Sequence, residues 1–479
     1  MSLEELGNRV KQDLAYLNIP EKTWIPSATH NGKHIYDVVI IGSGQSGLGA
    51  AFGLIREKIT NILVIDENSE GLEGPWDTYA RMTTLRTPKH LTSIDIGIPS
   101  LTFRSWWEAQ YGEAEWNTLD KIPKGEWMNY LRWYRQVLDL PVQNNTQLQL
   151  IEPLQQEKLH QLHLTTNKQA DTVIARKVIL ATGIQGGGQW FVPPFIKNHL
   201  SRHVFAHTSE SIDFTTLKDK KIAILGGGAS AFDNAHHTLK KGVKEAHVFV
   251  RRSEMPRINP IRQMEGSGMI DRFHTFTDAQ KYQVMAHFFK HNQPPTNDTF
   301  TKANACQGFS LHTGETWLAV EEGSEGVIVT TNKREYTFDF LIISTGLRSD
   351  PALRPELRLV EPYIFRWRDY YQAPQHLCNE QLDAHPYLSP GFAFQSKALK
   401  GQKQLHGLFS FNYAALISCG LSASAISGLR FAIPKLAAAV ADQLFEDHHQ
   451  QSLDAFFSYD EEEFVADRET ATENQKAMT

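Results

Sequence analysis

Residues 34–51 read HIYDVVIIGSGQSGLGAA. The run Val38–Ile41 is short, β-branched and stopped by glycine, the pattern of a strand buried on both faces. Gly42, Gly44 and Gly47 then form G-x-G-x-x-G, with small Ala51 four positions further on. The first glycine allows a tight turn, the second lets a pyrophosphate approach the backbone, and the third lets a helix lie close to the sheet. Gln45 and Ser46 complete the turn where that helix begins, and its free N–H groups and positive dipole end favour phosphate. A second strand over 61–65 ends in Asp66 and Glu67, and Asp66 lies 24 residues after Gly42. An acid there accepts hydrogen bonds from the hydroxyls of an unphosphorylated ribose. The order strand, glycines, helix, strand, acid predicts a dinucleotide site.

The same grammar returns downstream. Lys221–Leu225 reads as a strand and is followed by Gly226, Gly228, Ala229, Ser230 and Ala231. The next strand, Ala246–Val250, ends in Arg251 and Arg252, and Arg251 lies 25 residues after Gly226, in the place Asp66 holds in the first unit. A carboxylate would repel a 2′-phosphate, whereas guanidiniums bind it bidentately. The second site is therefore expected to take NADPH and the first a dinucleotide without that phosphate; the alternative is an exposed arginine pair on a turn. Two apolar strands end in Thr-Gly turns, Thr182–Gly183 and Thr345–Gly346, before and after the second unit. They predict a domain inserted into the first. The expected α/β layout has two Rossmann-like domains: an extension at 1–33, first domain at 34–215 and 336–445, inserted domain at 216–335 with a helical excursion over 254–316, and a tail at 446–479.

Composition narrows the class. The chain has 479 residues, enough for two or three domains, with 41% hydrophobic and 21% charged residues. Its 48 basic and 54 acidic residues leave a net charge of −6, unlike a dedicated nucleic-acid binder. Cys306, Cys378 and Cys419 are far apart, which speaks against a disulfide framework, a cysteine zinc site and a dithiol centre. No run approaches the ~18 apolar residues of a membrane span, and residues 1–30 show no secretory pattern. A cytoplasmic enzyme without membrane or nucleic-acid partners is expected. The adjacent pairs His236–His237 and His448–His449 point different ways on a helix, so no metal site is expected.

Two dinucleotide folds, one of them for NADPH, imply hydride passing to a second bound redox cofactor, and FAD meets that requirement. The chain resembles the class B flavoprotein monooxygenases, which comprise flavin-containing, N-hydroxylating and Baeyer–Villiger enzymes. The resemblance spans about residues 34–445. It rests on both glycine units, both Thr-Gly turns, Gly74-Pro-Trp76 and His207-Thr-Ser-Glu210, which is similar to the family's linker between flavin and NADPH domains. Phe205 and His207 stand too close together for the Baeyer–Villiger fingerprint. TTLRTPKHLT at 83–92 resembles the N-hydroxylating segment that lies over the flavin and reaches substrate, and Gly420-Leu-Ser422 resembles that branch's C-terminal turn near the flavin. Cys419 stands where that branch has His, and Arg86 stands near where flavin-containing monooxygenases have Asn.

The resemblance implies an NADPH- and O₂-dependent FAD monooxygenase that oxygenates a small polar substrate through a C4a-(hydro)peroxyflavin. Amine N-hydroxylation and purine or urate hydroxylation are the candidate reactions. Arg86 and Lys89, two cations in one loop, are expected to contact substrate or an oxyanion. Asn412 and Tyr413 are expected in the same pocket, Trp76 and Leu421 beside the flavin, and His207 and Ser209 in the linker. The Trp106–Trp107 pair, Trp127 and Trp133 are read as core or interface aromatics, the latter suiting a homo-oligomer. The alternatives are an NADPH-dependent flavin reductase serving a partner and a non-catalytic redox sensor.

Overall fold

The computed structural model describes residues 1–154, 157–291, 293–423 and 425–464. Lys33–Ile41 is a strand whose Val38, Val39 and Ile40 are fully buried, and the helix Gln45–Arg56 follows directly from the glycine turn. In the first sheet the strand order is Val142–Gln143, Ile62–Ile65, Lys33–Ile41, Gln169–Leu180, Leu159–Thr166, Thr146–Leu154. The first four run parallel and the last two return antiparallel. The second sheet is wholly parallel, ordered Phe309–Thr313, Glu245–Val250, Lys221–Leu225, Phe340–Ile343, Phe205–His207. The apolar residues of its central strands need helices or loops on both faces to cover them.

The expected boundaries move. Phe340–Ile343 does not return the chain to the first sheet; Ile222 faces Phe340 and Leu225 faces Ile343, inside the second. Phe205–His207 also belongs there, so boundaries at 215 and 336 both cut through one sheet. The first sheet is rejoined by Leu408–Ser410, which pairs in parallel with Val178–Leu180. A four-residue buried strand carries no mark of which sheet it enters; register against Ile222–Leu225 decides.

The excursion is helical as expected up to Asn304, but Phe309–Thr313 is a sheet strand. Its helices join the two units. Met264, Ile270, Phe273, Tyr282 and Met285 share a core with Trp367, Leu416, Ile417 and Leu421, while Phe300 packs on Phe232 of the second unit, ring centroids 5.6 Å apart.

The expected tail is also corrected. The helix Ile426–Phe457 passes through Pro434 without a break. Proline removes one helical hydrogen bond, but Ile433, Leu436, Ala437 and Val440 are buried on either side of it and hold the helix. A Cβ at Gly49 or Gly53 would come within 2.4 or 2.6 Å of Ile433, so these glycines set how closely the C-terminal helix lies on Gln45–Arg56. Beyond residue 445, Asp447 pairs with wholly buried Lys177 at 2.6 Å. Asp460–Glu463 are exposed, and 465–479 lie outside the described residues.

Of the two readings of the aromatic segment, core holds for most of its rings. Phe103, Trp106, Trp107, Trp116, Trp127 and Tyr130 are all buried within the chain's own main cluster. Among the described residues no single helix is long and apolar enough to cross a membrane, and no group of three or more His, Cys, Asp or Glu side chains is placed to hold a metal.

Candidate functional site

Each sheet presents one glycine turn beside one Thr-Gly turn, at the end of its parallel strands. Gly42 has φ +100°, and a Cβ there would sit 2.7 Å from the Ala181 carbonyl, so the turn lies against Ala181–Gly183. At Gly47 a Cβ would overlap the Gly42 carbonyl at 1.8 Å. At Gly44 it would approach only the Cα of Gly74, at 3.9 Å. The helix N-terminus therefore faces an open cradle bounded by Gly74 and Trp76, which fits a pyrophosphate. Trp127 Nε1 donates to Gln45 Oε1 at 3.1 Å and fixes the side chain that opens the helix. That contact was not legible in the sequence, where Trp127 read as core alone.

Asp66 is placed as expected, but it is already occupied. One carboxylate oxygen accepts from Ser43 N and Oγ at 2.7 and 3.1 Å, the other from Asn68 N and Nδ2 at 2.9 Å each. Those four bonds use its acceptor capacity and shape the turn. Glu67 beside it is exposed and accepts from Gln147 at 3.2 Å.

The second turn repeats the plan. Gly226 has φ +141°, and a Cβ would come 2.3 Å from the Ser344 carbonyl, so the turn abuts Ser344–Gly346. Strand order reverses between Lys221–Leu225 and Phe340–Ile343, making this the switch point where open α/β sheets bind ligands. A Cβ on Gly228 would meet nothing within 4 Å, so the N-terminus of the helix Ala229–Lys240 is open as well, with Ala229 and Ser230 as its first residues. Thr345 Oγ1 donates to the Phe191 carbonyl and orients the Gly346 turn. Arg251 and Arg252 stand exposed at the end of Glu245–Val250. Among the described residues neither has an acidic partner; Arg252 donates to the Lys290 carbonyl at 3.1 Å.

His207 ends the strand Phe205–His207 and is 1% exposed. Its Nδ1 accepts from Ser209 N at 3.2 Å and lies 2.8 Å from Ser209 Oγ, and the ring packs on Trp190. Burial lowers its pKa to about 4 against the opposing pull of Glu210, so the imidazole is neutral. Arg81, which the sequence did not mark, binds the carbonyls of Thr208 and, at 2.6 Å, Glu210. It is 8% exposed, and burial pulls its pKa down to about 10. A lone arginine far from a motif gives no sequence signal. Its partners lie about 130 residues away.

The expected substrate cations differ in surroundings. Arg86 is ion-paired with Asp233 of the helix Ala229–Lys240, which neutralises its charge and ties the loop to the second unit. Lys89 donates to the Trp116 carbonyl and lies 4.9 Å from the Trp116 ring, with no acidic partner among the described residues. Asn412 is corrected from a contact to a positioning group. Its Nδ2 donates to the Leu180 carbonyl and Thr182 Oγ1 at 3.1 Å each, and its Oδ1 accepts from Ala414 N and Ser410 Oγ at 2.9 and 3.2 Å. Every polar valence is spent holding the Thr182–Gly183 turn. Tyr413 N donates to the Gly183 carbonyl at 3.2 Å, and buried Leu421 sits under Met264 and Phe273 of the excursion. The Trp76 carbonyl accepts from Lys124 Nζ, and its ring is half-buried at the rim of the first cradle. All three cysteines are free, and burial pushes Cys419 up to about 12, leaving an unreactive thiol.

Two phosphate cradles, one on a mixed sheet and one on a parallel sheet, define a two-dinucleotide oxidoreductase. The chain belongs to the pyridine nucleotide–disulphide oxidoreductase family, whose profile matches residues 39–288. Over 97% of its length it is 56% identical to the FAD-dependent urate hydroxylase of Xanthomonas campestris pv. campestris, covering 98% of that protein. Among solved structures, ornithine hydroxylase from Pseudomonas aeruginosa superposes with a TM-score of 0.69 at 15% identity, over 86% of this chain and all (100%) of the other. L-Lysine 6-monooxygenase from Pseudomonas syringae gives 0.64 at 16% identity, over 85% and 99%. At such identities these two share the fold. The expected α/β plan and the expected class, an FAD-dependent flavoprotein monooxygenase, hold.

Proposed function

We propose that this enzyme hydroxylates urate or a closely similar oxidised purine, consuming NADPH and O₂ and releasing water. The observation that carries the reading is the 56% identity to a urate hydroxylase across nearly both whole chains. Bound FAD supplies the redox chemistry: it takes hydride from NADPH and activates O₂. The chain's own residues bind and orient. The Gly42–Gly47 turn and the helix beginning at Gln45 would hold the FAD pyrophosphate, and exposed Glu67, rather than the saturated Asp66, would be available to a ribose hydroxyl. Gly226, Gly228 and the helix start at Ala229–Ser230 hold the NADPH pyrophosphate, and Arg251 and Arg252 bind its 2′-phosphate.

Lys89 is the substrate-facing cation. Its ammonium rests on a carbonyl and an indole rather than a carboxylate, so its charge is free to attract an anion such as urate. Lys89→Met is expected to raise the KM for urate about tenfold, the low end of a hydrogen bond to a charged group, while flavin reduction by NADPH keeps its rate. An unchanged KM removes Lys89 from substrate binding. Amine N-hydroxylation is supported by fold likeness alone. The deciding assay follows urate's ultraviolet absorbance and NADPH oxidation together. Urate loss matching NADPH loss supports the reading, and NADPH oxidation that only an amine accelerates overturns it. The three free thiols suit a reducing cytoplasmic location.

A further inference from the structure

The segment from Arg81 to Arg86 is held by the second unit on two sides. On one side Arg81 binds the Thr208 and Glu210 carbonyls. On the other, three polar contacts meet in one cleft between the units. Arg86 pairs with Asp233, Lys302 Nζ reaches Thr83 Oγ1 at 3.3 Å, and Lys121 lies 3.8 Å from Asp298. Met82, Leu85, His236 and Thr299 are among the other residues that line it. Asp233 is 8% exposed and has Arg86 as its ion-pair partner. Burying a carboxylate is unfavourable unless it is paired, so Arg86 is bound to follow the position of Asp233.

Asp233 lies just past the first turn of the helix Ala229–Lys240, whose open N-terminus at Gly228–Ser230 is the phosphate cradle of the second unit. One short rigid helix thus carries a nucleotide-binding end and, a turn further on, the carboxylate that grips the 83–92 loop. We propose that Asp233 is a positioning residue that couples dinucleotide occupancy of the second cradle to the placement of the 83–92 loop, through its ion pair with Arg86. This rests on the proposed NADPH site. Because the two events share one helix, linkage makes the effect reciprocal: a nucleotide that steadies the helix steadies the loop, and a freed loop weakens the nucleotide.

The test uses the FAD-loaded protein and NADP⁺, without turnover. NADP⁺ affinity is measured by calorimetry and the mobility of residues 83–92 by hydrogen exchange, in wild type, Asp233→Asn and Asp233→Glu. In the wild type NADP⁺ is expected to slow exchange in the loop. In Asp233→Asn that slowing disappears and NADP⁺ binds about tenfold more weakly, within the usual span of coupling between sites, while Asp233→Glu keeps both. Wild-type affinity and wild-type slowing in Asp233→Asn overturn the proposal. Should Asp233→Asn lose its FAD, the exchanged pair Arg86→Asp with Asp233→Arg decides: recovered loop slowing supports the coupling, and a folded, FAD-bound exchanged pair without it overturns the coupling. A wild type that binds no NADP⁺ at all overturns the nucleotide site itself, an outcome visible before any variant is made.

Discussion

Arg251 and Arg252 show what a single residue type can decide. They stand exposed at a strand end, without acidic partners among the described residues, beside a turn that admits a pyrophosphate. Replacing both with alanine is expected to lower the preference for NADPH over NADH by about ten- to a hundredfold, the range for charge-assisted hydrogen bonds, with little change toward NADH. The ratio of kcat/KM for the two coenzymes reads this directly; an unchanged ratio assigns the 2′-phosphate elsewhere. Asn412 makes a different kind of prediction. Asn412→Ala strands the partners of four buried hydrogen bonds and frees the Thr182–Gly183 turn, at a cost of about 1–3 kcal/mol. The purified variant should retain less FAD, and full flavin content would remove Asn412 from positioning the cradle. The glycine turns were legible because close backbone approach restricts what a position accepts. Arg81 and the Arg86–Asp233 pair were not, because each depends on which distant segments the fold brings together.

At the scale of elements, the strands and helices of both glycine units follow from hydrophobic pattern and glycine spacing. What the pattern does not carry is membership. Phe340–Ile343 reads the same whether it closes the first sheet or extends the second, and only its register against Ile222–Leu225 settles the matter. The C-terminal helix shows the same limit: a proline inside it marks a break by local rule, yet burial on both sides of Pro434 keeps it whole. Its far end is anchored by Asp447, which contacts Lys177, Lys158 and His406 at 2.6, 2.7 and 2.9 Å. Hydrogen bonds from His406, Lys158 and Lys177 and the charge of Lys177 hold its carboxyl well below the usual range despite partial burial. Asp447→Ala leaves Lys177 buried without its counter-charge and is expected to destabilise the fold by about 3–5 kcal/mol, whereas Lys177→Met with Asp447→Leu recovers most of the loss. Urea unfolding of the three proteins checks both statements; a mild single variant, or a double variant no better than the single, contradicts the anchor.

Across the whole molecule, burial of neutral histidines sets the response to acid. His160, His207 and His385 are each at most 2% exposed, and burial lowers each pKa to about 4 from an ordinary value near 6.5. Between those values the unfolded chain binds protons that the folded chain refuses, so stability falls as pH drops from about 6.5 toward 4. The slope is about 1.4 kcal/mol per pH unit for each such histidine. Asp37, raised by burial to about 6, opposes this, because it takes up a proton while still folded. The histidines outweigh it, so stability is lower at pH 5 than at pH 7, and equal stability at the two pH values in urea titrations contradicts this. In the proposed reaction NADPH occupies the second cradle, FAD the first, and an oxygen atom is delivered to a purine. The most direct measurement supplies isotopically labelled O₂ with NADPH and urate and weighs the product. The account predicts one labelled oxygen in the hydroxylated purine for each NADPH oxidised. NADPH oxidation with all the label in hydrogen peroxide, and none in an organic product, would contradict it.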